Sequence, residues 1–218
     1  MAKPHAERKT EIIESALSLA AEQGVKRVST QAIADRVGIA QSTIFRHFKT
    51  RDAIFEAAIE WLAERLFHTL TPCFSSAEPA SRRLEDMIHR QLRFVSKHKG
   101  LPRLIFSDRL HLESPVLKQA VQTIIKRYTA QLTSLVVAGI ESGEFKPDLD
   151  AEKTARYIAA LLHGLVLRWS LFDFEFSLED EADSVIEFVN KALLPPPEQD
   201  HAGNPLTTLY STPLKEKS

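Results

Sequence analysis

The chain has 218 residues, 44% of them hydrophobic and 26% charged, a balance that supports a real core and excludes wholesale disorder. Only 7 glycines are present, where roughly 7% of an ordinary chain is glycine, and sandwiches or barrels need many glycine-bearing turns, so the shortage argues for helices. The formal net charge is −1, and a single cysteine, Cys73, excludes an internal disulfide.

Helical periodicity runs through almost the whole chain. Ile13, Ala16, Leu17 and Ala20 form one apolar stripe, closed by Gly24. Ser29 and Thr30 can cap a short helix whose Ile33, Ala34 and Val37 face inward, ended by Gly38. A third short helix starts near Ala40 or Gln41 and carries Ile44 and Phe48. Thr50 caps a long helix with Ile54, Phe55, Ala58, Ile59, Leu62 and Leu66 inward. Beyond Pro79 comes a stripe of Leu84, Ile88, Leu92 and Val95, then a shorter apolar piece from Leu101 to Leu110. Ser114–Pro115 reads as an N-cap followed by proline at the first helical position, opening a helix that runs to Gly143. Asp150 caps the next helix. Ser177 with Asp180 resembles a capping box for the last one, which Pro195 to Pro197 stop.

No alternating run supports a strand. The expected fold class is all-α, with about nine helices. Residues 1–54 form a three-helix unit and 55–195 a larger helical bundle, and the polar stretch 196–218 is expected to be disordered.

Charge and spacing single out the first unit. Residues 24–54 carry six Lys/Arg against two Asp/Glu, a basic module on a neutral-to-acidic body. Ala34 is small enough for a second helix to cross there, Gly38 permits the turn, and Ile44 packs back on Ile33 and Val37. That is the packing logic of a helix-turn-helix. The outer face of its second helix then presents Gln41, Ser42, Thr43, Phe45, Arg46 and His47. Gln can pair bidentately with adenine and Arg with guanine, while Ser and Thr reach base edges or phosphates. Thr30 and Gln31 open the preceding helix, where free N–H groups favour a phosphate, and Thr50 and Arg51 repeat that arrangement. Lys3, Arg8 and Lys9 could follow the DNA backbone or enter a minor groove. A plain solvated polar face would carry similar residues, so spacing alone leaves that alternative open.

From Arg8 to about Leu62 the chain resembles the DNA-binding domain of TetR-family transcriptional regulators. The likeness rests on Gly24, Ile33–Ala34, Gly38–Ile39, Ser42–Thr43–Ile44–Phe45, His47–Phe48 and Lys49–Thr50–Arg51. Ala40 stands where the family usually has Ser, Phe45 where it has Tyr, and Arg51 where it has Lys. The resemblance implies a homodimeric repressor that releases a palindromic double-stranded DNA operator when a small apolar or amphiphilic ligand binds the C-terminal domain. It also implies DNA contacts from Thr30, Gln31, Gln41, Ser42, Thr43, Phe45, Arg46, His47 and Arg51. In the family the last two helices form a four-helix bundle with their twin. Ala155, Ala159, Leu162, Val166, Val185, Ile186, Val189 and Leu193 would be buried in it.

A ligand cavity is expected among the middle helices, lined by Leu92, Val95, Ile125, Tyr128 and Trp169 with Leu66, Ile105 and Leu165. Polar Gln91, His163 and Arg168 fall near those stripes, and Arg168 could hold a carboxylate. Each of these residues also fits a plain core position. No cofactor or metal is expected, and no enzyme: there is no Gly-rich phosphate loop, no G-x-S-x-G and no H-E-x-x-H. The most apolar stretch, Tyr157 to Trp169, is interrupted by His163 and Arg168 and falls short of the roughly 20 residues of a membrane span. A cytoplasmic protein without membrane contact is expected. One rival keeps the architecture but replaces the inducer with control by a protein partner or DNA itself. Another is a helical carrier that never touches DNA, against which Arg46, His47, Lys49 and Arg51 argue.

Overall fold

The structure, a computed structural model, describes residues 4–196. Within them the chain forms nine α-helices and no strand. The stretch expected to be disordered lies, apart from Pro196, outside the described residues, as does Lys3.

Helix α1 (His5–Gln23) buries Ile12, Ile13, Ala16, Leu17, Leu19 and Ala20 along one stripe and ends at Gly24. A short 3-10 turn, Val25–Arg27, follows. Helix α2 (Thr30–Val37) starts on Ser29, whose side chain accepts from Ala32 N, and stops at Gly38, which takes the left-handed conformation at φ 74°. That conformation is nearly free for glycine, and it lets α3 (Gln41–His47) turn back so that Ile44 buries completely against Ile33 and Ala34. The bidentate Arg36–Glu22 pair, at 2.8 and 2.7 Å, ties α2 to α1. Phe48, expected inside the third helix, instead terminates it and stays buried.

Helix α4 (Arg51–Ser75) begins at Thr50, which accepts from Ala53 N at 3.0 Å. It is continuous across residues 54–55, so one rigid rod belongs to both parts of the chain. Near its end Cys73 is buried, its thiol donating to Asp86 Oδ2 at 3.4 Å; burial and then Asp86 push that thiol up to about 11.

Helices α5 (Ala80–Ser96), α7 (Pro115–Glu141), α8 (Ala151–Leu171) and α9 (Ala182–Leu193) complete the bundle with α4. Helix α7 packs on α4, α5 and α8, and α9 rests on α5. The start of α5 is capped from a distance: Glu144, in the α7–α8 connection, accepts from Ala80 N at 2.8 Å and Ser81 N at 2.9 Å. The short α6 (Gly100–Ile105) lies between α1 and α8. Gly100 makes this possible, because a Cβ there would sit 2.2 Å from the backbone oxygen of Leu17. After α6 a single π-helical turn, Arg109–Glu113, leads into α7.

The expected capping box serves a different purpose. Ser177 Oγ accepts from Asp180 N at 3.3 Å within the turn that precedes α9, while α9 itself starts after Glu181 without a side-chain cap. The helix therefore opens later than the motif suggests, because Leu178 first plugs into the core.

Candidate nucleic-acid interface and ligand cavity

On α3, Ser42, Phe45 and Arg46 are exposed, with Phe45 at 42%. Their neighbours are engaged in holding the motif together. Gln41 Nε2 donates to Thr30 Oγ1 at 2.8 Å, joining the first residues of the two short helices. Gln41 keeps its carbonyl oxygen and a second N–H for an outside partner. Gln31 is exposed and donates to Asp35 at 2.6 Å along its own helix. Thr43 is half-buried, and its N–H closes on Ala40 O at 2.8 Å where a side-chain cap is missing.

His47 is not on the free outer face. Its ring stacks on His5 at a centroid distance of 4.4 Å, and its Nδ1 is buried without a hydrogen-bond partner. Burial first, then the surrounding His5, Arg46, Lys9 and Arg8, hold it below the ordinary histidine pKa. Arg46 and Lys9, with Arg8 paired to Glu11 at 2.7 Å, bring cationic side chains to where the start of α1 meets the end of α3, a favourable place for a phosphate backbone. Arg51 is turned partly inward: its Nη1 donates to Val28 O at 3.0 Å and Lys26 O at 3.4 Å, bracing the loop that leads to α2. The rest of its donor fork is left for an anion.

Below this unit a cavity of about 240 Å³ is enclosed by α4 to α8 and the π-helical turn. Of the residues expected to line it, Leu66, Gln91, Val95, Ile105, Ile125, Tyr128 and His163 do so. Leu92, Leu165, Arg168 and Trp169 do not. Leu92 is fully buried in the core, and Trp169 is buried at the end of the bundle, donating from Nε1 to Phe176 O at 2.8 Å. Arg168 is five residues beyond His163, about 140° further round a helix of 3.6 residues per turn. It is exposed, over the rings of Phe172 and Phe176 at 5.6 and 5.8 Å. The periodicity gave no sign of Leu110 and His111, whose π-helical turn closes one wall.

The same turn reaches the DNA-binding unit. Arg109 Nε donates to Asp52 Oδ1 at 2.8 Å, its Nη2 makes a second bond to that oxygen, and Nη1 reaches Glu113 at 3.1 Å. Asp52 sits in the first turn of α4, next to Arg51. A cavity wall is thus clamped to the residue pair that follows the recognition helix.

The residues expected at a subunit interface are used by the monomer. Ala155, Ala159, Leu162, Val185, Val189 and Leu193 are all buried in its own core, Ile186 packs against that core, and Val166 borders the cavity. Within the single chain, α8 and α9 turn this stripe inward to meet the rest of the bundle. Their outer face instead leaves Tyr157, Leu171, Phe172 and Phe188 exposed.

Comparison with known proteins settles the family. Residues 12–58 match the description "Bacterial regulatory proteins, tetR family", and residues 77–192 match "Tetracyclin repressor-like, C-terminal domain". The chain belongs to the TetR family. As a TetR-family protein it is a DNA-binding transcriptional regulator. One relative, the nucleoid occlusion factor SlmA of Marinomonas sp. (strain MWYL1), is 24% identical over 78% of this chain and 86% of its own length. The fold is shared with a transcriptional regulator of Saccharomonospora viridis in complex with choline, at TM-score 0.78 and 20% identity, over 88% of this chain and all of that one. It is shared too with the regulator FadR of Bacillus subtilis in complex with stearoyl-CoA, at TM-score 0.71 and 23% identity, over 83% of this chain and 96% of that one. Among the described residues no helix is long and apolar enough to cross a membrane, and no group of three His, Cys, Asp or Glu could hold a metal ion.

Proposed function

We propose that this protein is a cytoplasmic, homodimeric repressor that leaves a palindromic operator when a small apolar or amphiphilic molecule fills the cavity, and that it works without enzymatic chemistry. The observation that carries this reading is the Arg109–Asp52 clamp. It joins the turn that lines the cavity to the first turn of α4. Any ligand that favours a different position of that turn will shift α4 and, with it, the setting of α3; the size of the response equals the ligand's differential affinity for the two states.

Ser42, Phe45 and Arg46 read the major groove, with Gln41 and Thr43 behind them and Thr30, Gln31, His47 and Arg51 supporting backbone contacts. The second copy docks on the outer face of α8 and α9, where Tyr157 and Phe188 border one groove. Two-fold pairing sets the recognition helices about 34–36 Å, or a multiple of it, apart. The neighbours crystallised with choline and stearoyl-CoA support a ligand-responsive reading.

The test is fluorescence anisotropy on a duplex from the protein's own upstream region. Binding should fall steeply with salt, as released counterions require. Arg109→Ala should keep that affinity within a few-fold but lose most of the ligand-induced release, where couplings of about 5–150-fold are usual. Undiminished release in Arg109→Ala would remove the clamp from the mechanism. The name of the SlmA relatives supports a second reading, the same architecture controlled by a protein partner or DNA itself. Under that reading no cavity-filling compound changes the anisotropy.

A further inference from the structure

The polar side chains that line the cavity are Gln91, Tyr128, His163 and, on the π-helical turn, the exposed His111. Gln91 is 4% exposed and Tyr128 3%, and the Tyr128 hydroxyl donates to Gln91 Oε1. That bond uses the hydroxyl proton and the amide oxygen. The Gln91 amide nitrogen, with two N–H groups, has no acceptor among the described residues and borders the cavity. His163 stands beside it, its ring 6.1 Å from that of Tyr128, and burial keeps its pKa below the ordinary histidine value, so it adds a hydrogen-bonding atom without a charge. No Lys, Arg, Asp or Glu lines the cavity.

Such a wall discriminates. A buried carboxylate or phosphate without a cationic partner loses its hydration and receives nothing equivalent. A quaternary ammonium fares no better, since it needs a carboxylate or a cage of aromatic faces. A pure hydrocarbon would leave the Gln91 N–H groups unmet, and an unsatisfied buried donor is itself unfavourable. Size narrows the choice further. An apolar cavity of about 150 Å³ holds benzene, so the cavity of about 240 Å³ suits a somewhat larger molecule.

We infer that the ligand is an uncharged compound of about ten non-hydrogen atoms, a hydrocarbon skeleton bearing one carbonyl oxygen, as in a ketone or ester, which accepts from Gln91 Nε2. This rests on reading the cavity as the inducer site. It also separates this protein from its structural neighbours, because the choline cation and the phosphates of stearoyl-CoA find no Asp, Glu, Lys or Arg in this wall.

Four probes of similar length test it by titration calorimetry on the full chain: 2-nonanone, nonane, octanoate and octyltrimethylammonium. 2-Nonanone should bind about tenfold more tightly than nonane, and the two ions should bind more weakly than either. Gln91→Leu should bring the ketone-to-alkane ratio close to one while nonane still binds. Because that variant strands the Tyr128 hydroxyl, the double variant Gln91→Leu/Tyr128→Phe repeats the measurement with both partners removed, and melting curves confirm that each variant folds.

An ion binding as tightly as the ketone overturns the inference, as does a ratio that survives both variants, or no binding by any probe. The same samples are read for release of the upstream duplex. Gln91-dependent ketone binding that leaves the duplex in place keeps this inference and overturns the ligand-gated reading. Release driven by octanoate or the ammonium compound does the reverse.

Discussion

Under the proposed function, α3 and the cavity would hold their roles in opposite forms. On α3 the proposed contacts are side chains that stand out from a seven-residue helix, such as Arg46 and the 42%-exposed Phe45. In the bundle the proposed site is a void, defined by what five helices and a turn leave unfilled. A surface is written in residue types, whereas a void is written in packing, and packing depends on partners far apart in the chain. The two also differ in how they are anchored. Helix α3 lacks a side-chain cap and is held by Ile44 and the Gln41–Thr30 bond, while α4, α7 and α8 each begin on a capping side chain.

The largest expected effect breaks the anchor of the head. Ile44→Ala removes a fully buried side chain, should cost about 3 kcal/mol in urea unfolding, and should abolish duplex binding. Retained specific binding would mean that α3 is held by its polar contacts instead. Next comes the seam between the two regions. Gly100→Ala places a Cβ against the Leu17 backbone, which cannot rotate away as a side chain would. Stability should fall by about 2 kcal/mol, and ligand-free duplex affinity should change with it. A silent Gly100→Ala would show that α6 slides freely on α1.

A smaller effect sharpens the head alone. Gln41→Ala should lose about 1–2 kcal/mol of discrimination between matched and mismatched duplexes, read by competition anisotropy, with melting temperature almost unchanged. An equal loss on scrambled sequence would assign Gln41 to positioning through Thr30. The smallest effect lies in the bundle. Burial alone would raise the Glu144 carboxyl, but bonds from Ser81 and Ala80 N–H and from the Ser81 and Ser142 hydroxyls outweigh it and hold the pKa at about 2. A carboxyl depressed on folding stabilises above its unfolded value, here 4.5, and that contribution fades as pH falls towards 2. Glu144→Gln should therefore cost about 1 kcal/mol at pH 7, and the difference from the parent should narrow below pH 4.5 and close near pH 2. A pH-independent gap would mean that shape, not charge, makes the cap.

The head was legible because the two spacings between Ala34, Gly38 and Ile44 fix a crossing of two helices within eleven residues. What sequence missed there are contacts between elements, such as the His5–His47 stack that takes His47 off the outer face. In the bundle, Tyr128 and His163 were legible as cavity residues because each lies on an inward stripe. Arg168 misled because chemistry suggested a pocket while its place on the helix turned it outward. Helix α8 is apolar on two sides, from buried Ala155 and Leu162 round to exposed Tyr157 and Leu171. Periodicity finds such stripes but does not say which one meets the monomer's own core, and the more regular stripe proved to be the inner one.

The sealed sulfur in α4 has a practical consequence. Thiol reagents attack the thiolate, and with the Cys73 pKa near 11 only about one molecule in several thousand carries it at pH 7.5. The wild-type chain is thus a nearly silent background for maleimide chemistry. A spin label or fluorophore attached through Ser42→Cys would report from the reading head alone, and a pair of them across two copies would serve as a molecular ruler.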